Sequence, residues 1–249
     1  GLGDVYKRQV SFPDKSFVQG IGIFNDAGFE VHTRDKNADI IYVSPSHMTR
    51  WGDVMSNKRR LELVEYSFNN NSTVIEDDYE NDFMYNVKPT PALFTLGHGN
   101  VIYIRSFSAM LLPGIRISFM VLNDELTKLY NQNKYKFAQT ASKTEQIALC
   151  QYIRDGHINS QTRKIRRLYS NKTKDFYSIL KKEFPNAQIS ISENTLQIIM
   201  SVKFDKDIEV FEKSSISLFV EKYENGLITI VLSLSLIHIS EPTRLRRIS

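Results

Sequence analysis

The sequence VIEDDYENDFMY, residues 74–85, begins as an apolar strand and runs into three consecutive acidic residues. Acidic side chains that follow a buried strand must be solvated, paired or given a cation, because an isolated carboxylate is costly to bury. At the carboxyl end of a parallel strand they would lie where open α/β sheets bind their ligands. Taken by itself, the stretch could equally be a solvated turn.

A second stretch, VIYIRSFSAMLLPGIRISF at residues 101–119, favours the ligand-binding interpretation. It has the pattern of a strand, a Ser-x-Ser turn, and a Pro-Gly pair followed by an arginine. Two hydroxyl groups and a guanidinium after a strand suit a phosphate, since arginine binds phosphate through two parallel hydrogen bonds. Together the two stretches predict a ligand site at one end of a sheet.

Around these stretches strand-like and helical patterns alternate, which is typical of a parallel α/β sheet. Strands are predicted at 29–32, 39–43, 73–75, 101–104 and 115–121, with a helix at 57–68. The second half predicts helices at 125–133, 143–155 and 160–184, strands at 188–192, 195–202, 216–220 and 227–231, and a helix near 207–213. We therefore expect part of a large domain at 10–125, connecting helices at 126–159 and a small α+β domain at 160–231.

The formal net charge of +4 and the pI near 9.0 do not by themselves indicate nucleic-acid binding. The two ends, GLGDVYKRQ at 1–9 and LSLSLIHISEPTRLRRIS at 232–249, resemble translated sequencing-adapter sequence, so we expect a metagenomic fragment with tails foreign to the fold. These tails carry net charges of +1 and +2, which leaves +1 for residues 10–231.

Several classes of site and location are disfavoured by composition. The single cysteine, Cys150, excludes an intramolecular disulfide and a cysteine-based zinc site. The five histidines never occur at metal-ligand spacing, and no metal site is expected. There is no run of 18 apolar residues and no signal-peptide pattern, so we expect a cytoplasmic protein without a membrane partner.

Seven sequence pieces occur in the order found in one family: PSH (45–47), RRLEL (59–63), IEDDYENDF (75–83), VIYIRSFS (101–108), LLPGIRISFMVL (111–122), TASKTEQ (140–146) and GHINSQTRKIRRLY (156–169). They resemble the MocR/GabR-like branch of GntR-type transcription regulators. Those proteins join a winged-helix DNA-binding domain to an effector domain that resembles class I/II aminotransferases of fold type I, which depend on pyridoxal phosphate. The resemblance implies a partial large domain with a mainly parallel sheet, a homodimer, and DNA contact only through a winged helix upstream of this chain.

The resemblance also implies a role for each matching residue. Asp77 corresponds to the acid that faces the pyridine nitrogen, and Tyr79 to the phenol that bonds the 3-oxygen of the cofactor. The phosphate ligands correspond to Ser106, Ser108 and Arg116.

The lysine that forms a Schiff base with the cofactor is missing. The family pattern Ser-Phe-Ser-Lys is SFSA here, with Ala109 in the lysine position. The loop at 48–52 reads MTRWG instead of the family's QFPTG, the segment 29–40 is shorter than usual, and residues 227–231 contain no arginine to hold a substrate carboxylate. We therefore expect pyridoxal phosphate to bind weakly, without a covalent bond, or not at all.

These observations favour an effector-sensing domain of a transcription regulator, with a small amine or amino acid as its effector, and no catalytic residue. An active aminotransferase is the main alternative, and it would need a lysine at position 109. A dimerisation module without a ligand and a decaying gene copy also remain open.

Overall fold

The computed structural model describes residues 8–233, except for residues 15–16, 50–51, 80, 82–89, 98–99, 109, 112, 137, 193–196, 204–218 and 225. Its first sheet is formed by β1 (Gln9–Phe12), β2 (Glu30–Thr33), β3 (Ile40–Val43), β4 (Thr73–Asp77), β5 (Val101–Ser106) and β6 (Ser118–Val121). The strand order is β2-β1-β3-β4-β5-β6, and every neighbouring pair is parallel except β5 and β6. The mainly parallel α/β sheet predicted from the sequence is thus confirmed.

All five strands predicted for the first half lie in this sheet, as β2 to β6. β6 begins at Ser118 and not at residue 115, because Pro113–Ile115 form a 3₁₀ turn and Arg116 has a φ of 46°, which cannot continue a strand. The sequence patterns do not predict β1. Its apolar residues are Val10 and Phe12 on either side of Ser11, too short a pattern to distinguish from a loop before Pro13.

Six helices lie within the described residues: α1 (Val18–Asp26), α2 (Asn57–Asn69), α3 (Leu93–Leu96), α4 (Asp124–Asn133), α5 (Lys143–Arg154) and α6 (His157–Glu183). Four of them, α2, α4, α5 and α6, correspond to predicted helices. Side chains fix two of the starts: Ser56 accepts from the Arg59 N–H at 3.3 Å, and Asn123 accepts from the Leu126 N–H at 2.8 Å. α1 is not predicted, because it contains two glycines and no charge before Asp26.

The first sheet is covered on both faces. α2 and α3 cover one face through a core that includes Val43, Val64, Val74, Leu93 and Val101. α1 covers the other through a core that includes Val10, Phe12, Ile21, Phe24 and Tyr42. Because successive side chains of a strand point to opposite faces, Glu76 follows Val74 toward α2, whereas Asp77 follows Ile75 toward α1.

The second sheet is antiparallel and consists of β7 (Gln188–Ile191), β8 (Gln197–Lys203), β9 (Phe219–Glu224) and β10 (Leu227–Ser233), in the order β7-β8-β10-β9. The carboxyl-terminal part of α6 packs on it, with Leu180 in one core with Ile198 and Ile228. The predicted α+β character of the second half is confirmed, and the helix predicted near 207–213 lies outside the described residues.

Three residues that the sequence assigns to the tails lie in strands. Gln9 opens β1 opposite Glu30, and its N–H donates to Asp39 Oδ2 at 2.8 Å. Leu232 and Ser233 end β10 in register with β8, and Leu232 packs partly against the second core. The expectation that the tails lie outside the fold therefore does not hold for these three residues, and the origin and extent of the tails stay a prediction. Residues 1–7 and 234–249 lie outside the described part, and the domain division at 125 and 160 stays a prediction.

Candidate functional site

Two predicted site residues end neighbouring parallel strands at the carboxyl edge of the first sheet. Asp77 is the last residue of β4 and lies opposite Ile104 of β5, and Ser106 ends β5 two residues later. Side chains two residues apart on a strand share a face, so Asp77 and Ser106 both lie on the α1 side. The structure therefore brings the predicted acid and the first predicted phosphate ligand to the same face of the same edge.

The chain beyond Ser106 turns back along this edge. The Phe107 N–H donates to the Ile117 carbonyl at 3.0 Å, which extends the β5–β6 pairing by one step. The next positions on the two paired segments are Ser108 and Arg116, the other two predicted phosphate ligands. The Ser108 N–H donates to Ser106 Oγ at 3.1 Å, which leaves the Ser106 hydroxyl proton for another acceptor. Arg116 is exposed.

Tyr79 lies two residues beyond Asp77. Its half-buried ring is 5.6 Å from the ring of His47, in the loop after β3. In the loop at 48–52, which differs from the family pattern, the Met48 N–H donates to the Asp53 carbonyl at 2.8 Å and so joins the two ends of the loop. Ala109 lies outside the described residues, so its expected direction toward the site stays a prediction.

The carboxylate of Asp77 is oriented by Tyr42, which the sequence patterns do not single out. The Tyr42 hydroxyl donates to Asp77 Oδ2 at 2.5 Å, and its ring stacks on Phe12 at 4.9 Å and meets Phe17 at 5.5 Å. Burial raises the pKa of Asp77, the hydrogen bond from Tyr42 opposes that rise, and the charge of Asp78 adds to it. Burial and the Asp77 carboxylate raise the pKa of Tyr42, so the phenol keeps its proton and donates.

Glu76 serves the fold on the opposite face. It is 1% exposed, and its two carboxylate oxygens accept the N–H groups of Leu93 at 2.9 Å and Phe94 at 3.0 Å. These N–H groups begin α3 and have no partner within the helix. Burial raises the pKa of Glu76, and the two N–H donors and the Arg60 charge oppose that rise. Glu76 is therefore a structural cap for α3.

Asp78 joins three segments of the chain. It is buried, and it accepts from the Ser46 hydroxyl at 3.0 Å, the Tyr103 hydroxyl at 2.7 Å and the Asn81 amide at 3.3 Å. Ser46 lies in the loop after β3, and Tyr103 lies on β5. The three consecutive acids therefore have different roles. Glu76 and Asp78 bind neighbouring segments of the chain, and Asp77 alone lies at the candidate site.

Arg60 of α2 is the buried cation nearest to these acids among the described residues. It is 3% exposed and donates to the carbonyls of Met55 at 3.0 Å, Pro91 at 3.0 Å and Pro45 at 3.3 Å. Burial lowers the pKa of Arg60, and the charges of Glu76 and Asp78 oppose that change. Arg60 therefore fixes the loop after β3 and the segment before α3. Arg60 is spaced four and seven residues from Val64 and Ser67, which are buried on the same side of α2. This helical spacing is the sequence signal that could have predicted the burial of Arg60.

The substitution Asp77→Asn is expected to stabilise the cofactor-free fold at pH 7, by about 1 kcal/mol at most. Because the folded state raises the pKa of Asp77, it favours the protonated carboxyl. The stability contributed by Asp77 is therefore full below the ordinary aspartate pKa of about 3.9 and is lost as the pH rises through the higher folded value. Asparagine resembles the protonated form and can still accept from Tyr42.

This prediction is checked by urea unfolding of both proteins between pH 5 and 8. The gain should shrink as the pH falls, and Asp175→Asn, at an exposed position of α6, should show no such pH dependence. A variant less stable than the parent at pH 7 would mean that the Asp77 carboxylate has a stabilising cationic partner.

Other kinds of site have little support in the described part of the chain. No group of three or more histidine, cysteine, aspartate or glutamate side chains there could hold a metal ion. Within the same residues, no helix has the length and apolar character that crossing a bilayer requires. Cys150 is exposed on α5.

Comparison with known proteins shows the family and the fold. Residues 27–243 match the family described as aminotransferase class I and II. The kynurenine aminotransferase of Pyrococcus horikoshii has a solved structure similar to this one, with a TM-score of 0.73 and 18% identity, over 92% of this chain and 65% of that chain. At that identity the similarity shows the fold alone.

The curated relatives include transcription regulators. The chain is 32% identical over 171 residues to YdeL of Bacillus subtilis, an uncharacterized HTH-type transcriptional regulator; the match covers 68% of this chain and 37% of that protein. It is 28% identical over 171 residues to MocR of Rhizobium meliloti, described as a rhizopine catabolism regulatory protein, over 68% of this chain and 34% of that protein. The chain thus spans about a third of the length of these relatives.

Proposed function

Because the chain belongs to the aminotransferase class I and II family, we propose that it is the effector-sensing domain of a MocR/GabR-type transcription regulator. In this proposal pyridoxal phosphate binds without a covalent bond and reports a small amine or amino acid to a DNA-binding domain elsewhere in the protein. The observation that supports the proposal is that Asp77, Tyr79, Ser106, Ser108 and Arg116 match the family's cofactor ligands, whereas position 109, which matches the family's lysine, is alanine. A cytoplasmic homodimer is part of the same proposal.

The residues at the sheet edge fit the aromatic ring of the cofactor. Tyr42 uses Oδ2 of Asp77, so Oδ1 is available for the pyridine nitrogen. A carboxylate beside a protonated ring nitrogen makes a charge-assisted hydrogen bond, worth about 1.5–3 kcal/mol. The positive ring would also offset the desolvation that raises the pKa of Asp77 in the cofactor-free protein. Tyr79 would bond the 3-oxygen.

The turn after β5 fits the phosphate. The Ser106 hydroxyl can donate because its oxygen already accepts from the Ser108 N–H. Ser108 would add a second hydroxyl, and the exposed guanidinium of Arg116 would add charge and two parallel donors. This turn lies on the same edge as Asp77, which supports one cofactor bridging both groups.

Binding without transamination follows from the missing amine. When bound, pyridoxal phosphate supplies an electron sink for carbanion chemistry. Transamination also needs a base that moves a proton, and loss of general acid–base catalysis alone costs about 10²–10⁴ in rate. The methyl side chain of alanine at position 109 has no acidic or basic group that could move a proton. The residues present would bind and orient the cofactor, which is sufficient for a sensor and insufficient for an ordinary aminotransferase.

The test is a titration with pyridoxamine phosphate, which has no aldehyde and so cannot react with surface lysines. We expect saturable binding that inorganic phosphate competes with. Asp77→Ala and Arg116→Gln should each weaken binding, the first by about 10–150-fold, the equivalent of 1.5–3 kcal/mol. Arg59→Gln, at an exposed position of α2, should leave binding unchanged.

Three results would contradict the proposal. Absence of saturable binding at millimolar concentration would favour a dimerisation module without a ligand. Binding that Asp77→Ala and Arg116→Gln both leave unchanged would mean that the ligand occupies some other place. Transamination by the unaltered chain would restore the aminotransferase alternative.

A further inference from the structure

Positive charge is concentrated on α6. This helix contains eight lysines and arginines and two acidic residues, Asp175 and Glu183, so its formal charge is +6. The whole chain has a formal charge of +4, which leaves −2 for all other residues together. The formal charge of residues 10–231 is only +1, but this sum combines +6 on α6 with a net negative charge on the other residues.

The cations lie in a line on the solvent side of the helix. Arg163, Arg167, Lys174 and Lys181 are separated by four, seven and seven residues, which are close to whole helical turns. All four are exposed, and they cover about 27 Å at 1.5 Å per residue. We call this line the cation row. Lys164 and Lys182 are also exposed and flank it.

The side of α6 about a quarter turn from the cation row packs against the rest of the chain. Thr173 and Leu180 are buried there, Leu180 against the second sheet. The Thr162 hydroxyl lies 3.4 Å from the sulfur of Met110, so the amino-terminal part of the helix touches the segment after β5. The cation row therefore cannot turn toward the core, and it faces outward over most of its length.

The row has no counter-charge within the described residues. None of its four members, nor Lys164 or Lys182, forms an ion pair with a described carboxylate, and the Lys181 ammonium lies 5.9 Å from the Tyr177 ring centroid. Solvated helix faces usually alternate acids with bases, which pairs charges four residues apart. Arg163 and Arg167 are like charges at that spacing, which costs stability. Folding of the helix therefore gains nothing from this arrangement, and a polyanionic partner would supply the missing counter-charge.

We propose that the cation row of α6 binds the phosphate backbone of duplex DNA. A linear array of exposed lysines and arginines matches a polyanion with one negative charge per about 1.7 Å of its axis, and 27 Å corresponds to about eight base pairs. DNA is the polyanion that a transcription regulator must approach, so the inference extends the proposed function. It also revises the expectation that only an upstream winged helix contacts DNA. The contact is independent of sequence, because phosphates carry no base information.

The test measures binding of the full chain to a labelled duplex of arbitrary sequence between 50 and 200 mM salt. Four phosphate contacts give a slope of log K against log salt of about −3.6, which is about a 100-fold loss of affinity over this range. The variant Arg163→Gln/Arg167→Gln/Lys174→Gln/Lys181→Gln should lose most of the affinity and most of the slope. Glutamine keeps the helix propensity, and circular dichroism checks the fold.

Two controls separate the row from charge in general. The substitutions Lys36→Gln, Lys58→Gln, Arg59→Gln and Lys128→Gln remove the same charge at exposed positions away from α6 and should change the slope little. Replacement of Arg244, Arg246 and Arg247 by glutamine removes the basic tail and should leave most of the binding.

The proposal is overturned if the α6 variant keeps the parent slope, or if the tail variant loses the binding. Binding to phosphatidylserine vesicles with no binding to duplex DNA would also overturn it and would assign the row to a membrane surface. DNA binding without any pyridoxamine phosphate binding would contradict the cofactor proposal alone, so the two failures can be told apart.

Discussion

Replacement of Arg60 by alanine is expected to destabilise the fold by about 3–5 kcal/mol, the range seen when one partner of a buried charged network is removed. The guanidinium is 3% exposed and donates to three carbonyls, of Met55, Pro91 and Pro45. Pro45 and Met55 belong to the loop between β3 and α2, and Pro91 belongs to the segment before α3. Without Arg60 the Met55 and Pro91 carbonyls lose this donor and the Pro45 carbonyl keeps only the Met55 N–H, while Glu76 and Asp78 lose the opposing charge of the guanidinium.

Urea unfolding measures this loss, and the neighbouring residue supplies a matched control. Arg59 is exposed, and Arg59→Ala should change the free energy of unfolding by about 0.5 kcal/mol or less. If Arg60→Ala does not fold, Arg60→Lys gives a measurable transition, because it keeps the charge and loses the fork that reaches three acceptors. Equal stability of the Arg59→Ala and Arg60→Ala variants would show that the carbonyls are satisfied by water.

The first sheet could be predicted where a strand is apolar over several residues and bounded by turns. Residues 39–43 and 101–104 meet this condition, and β3 and β5 correspond to them closely. β1 does not, because Ser11 interrupts two apolar residues; its burial comes from strands β2 and β3 on either side. The helices with one clear apolar side were predicted to within three residues at either end, as α6 illustrates.

The residues of the candidate site could be predicted from their types and their positions along the chain. The side chains that hydrogen-bond to them could not. The patterns bring Asp77 and Ser106 to the carboxyl ends of two strands, and the parallel pairing of β4 with β5 accounts for their proximity. No pattern reveals that Tyr42, 35 residues before Asp77, is its hydrogen-bond donor. Such a contact depends on the register between β3 and β4, which is set by packing on both faces of the sheet.

The hydrogen-bond donors of the three consecutive acids could not be predicted either. As a sequence, Glu76, Asp77 and Asp78 are equivalent carboxylates at the end of a strand. Alternation of faces separates Asp77 from its neighbours, and that much follows from the strand period. The identities of the donors, the N–H groups of α3 for Glu76 and the Tyr103 hydroxyl for Asp78, depend on contacts 17 and 25 residues away.

The substitution Ala109→Lys is expected to give borohydride-stable attachment of pyridoxal phosphate at position 109, from none in the parent to nearly one per chain. The sequence alone favours the opposite result, because the loop at 48–52, the short segment 29–40 and the lack of an arginine at 227–231 all depart from the family. In the structure that loop is closed by Met48 and Thr49 bonding to Asp53, and Asp78 still ties the preceding Ser46 to β4. The departure therefore does not reach Asp77, whose carboxylate Tyr42 holds.

The segments on both sides of position 109 support the same expectation. The Ser108 N–H donates to Ser106 Oγ, and the Leu111 N–H donates to the Phe107 carbonyl at 2.9 Å. These hydrogen bonds fix the backbone before and after position 109, so we expect the introduced lysine to lie close to the predicted phosphate ligands. Proximity to a bound aldehyde raises the effective concentration of an amine by orders of magnitude over that of a surface lysine.

Peptide mapping after reduction locates the attached cofactor, and Gln132→Lys, at an exposed position of α4, gives the background for a new surface lysine. Arg116→Gln is then added to the Ala109→Lys and Gln132→Lys variants. It should strongly reduce attachment at position 109, because that attachment depends on a bound cofactor phosphate. It should leave attachment at position 132 unchanged, because attachment to a surface lysine needs no bound phosphate. Attachment at 109 no greater than at 132 would contradict the expectation. It would mean that the departures at 48–52 and in the segment 29–40 have changed the pocket so that it no longer holds the cofactor beside position 109.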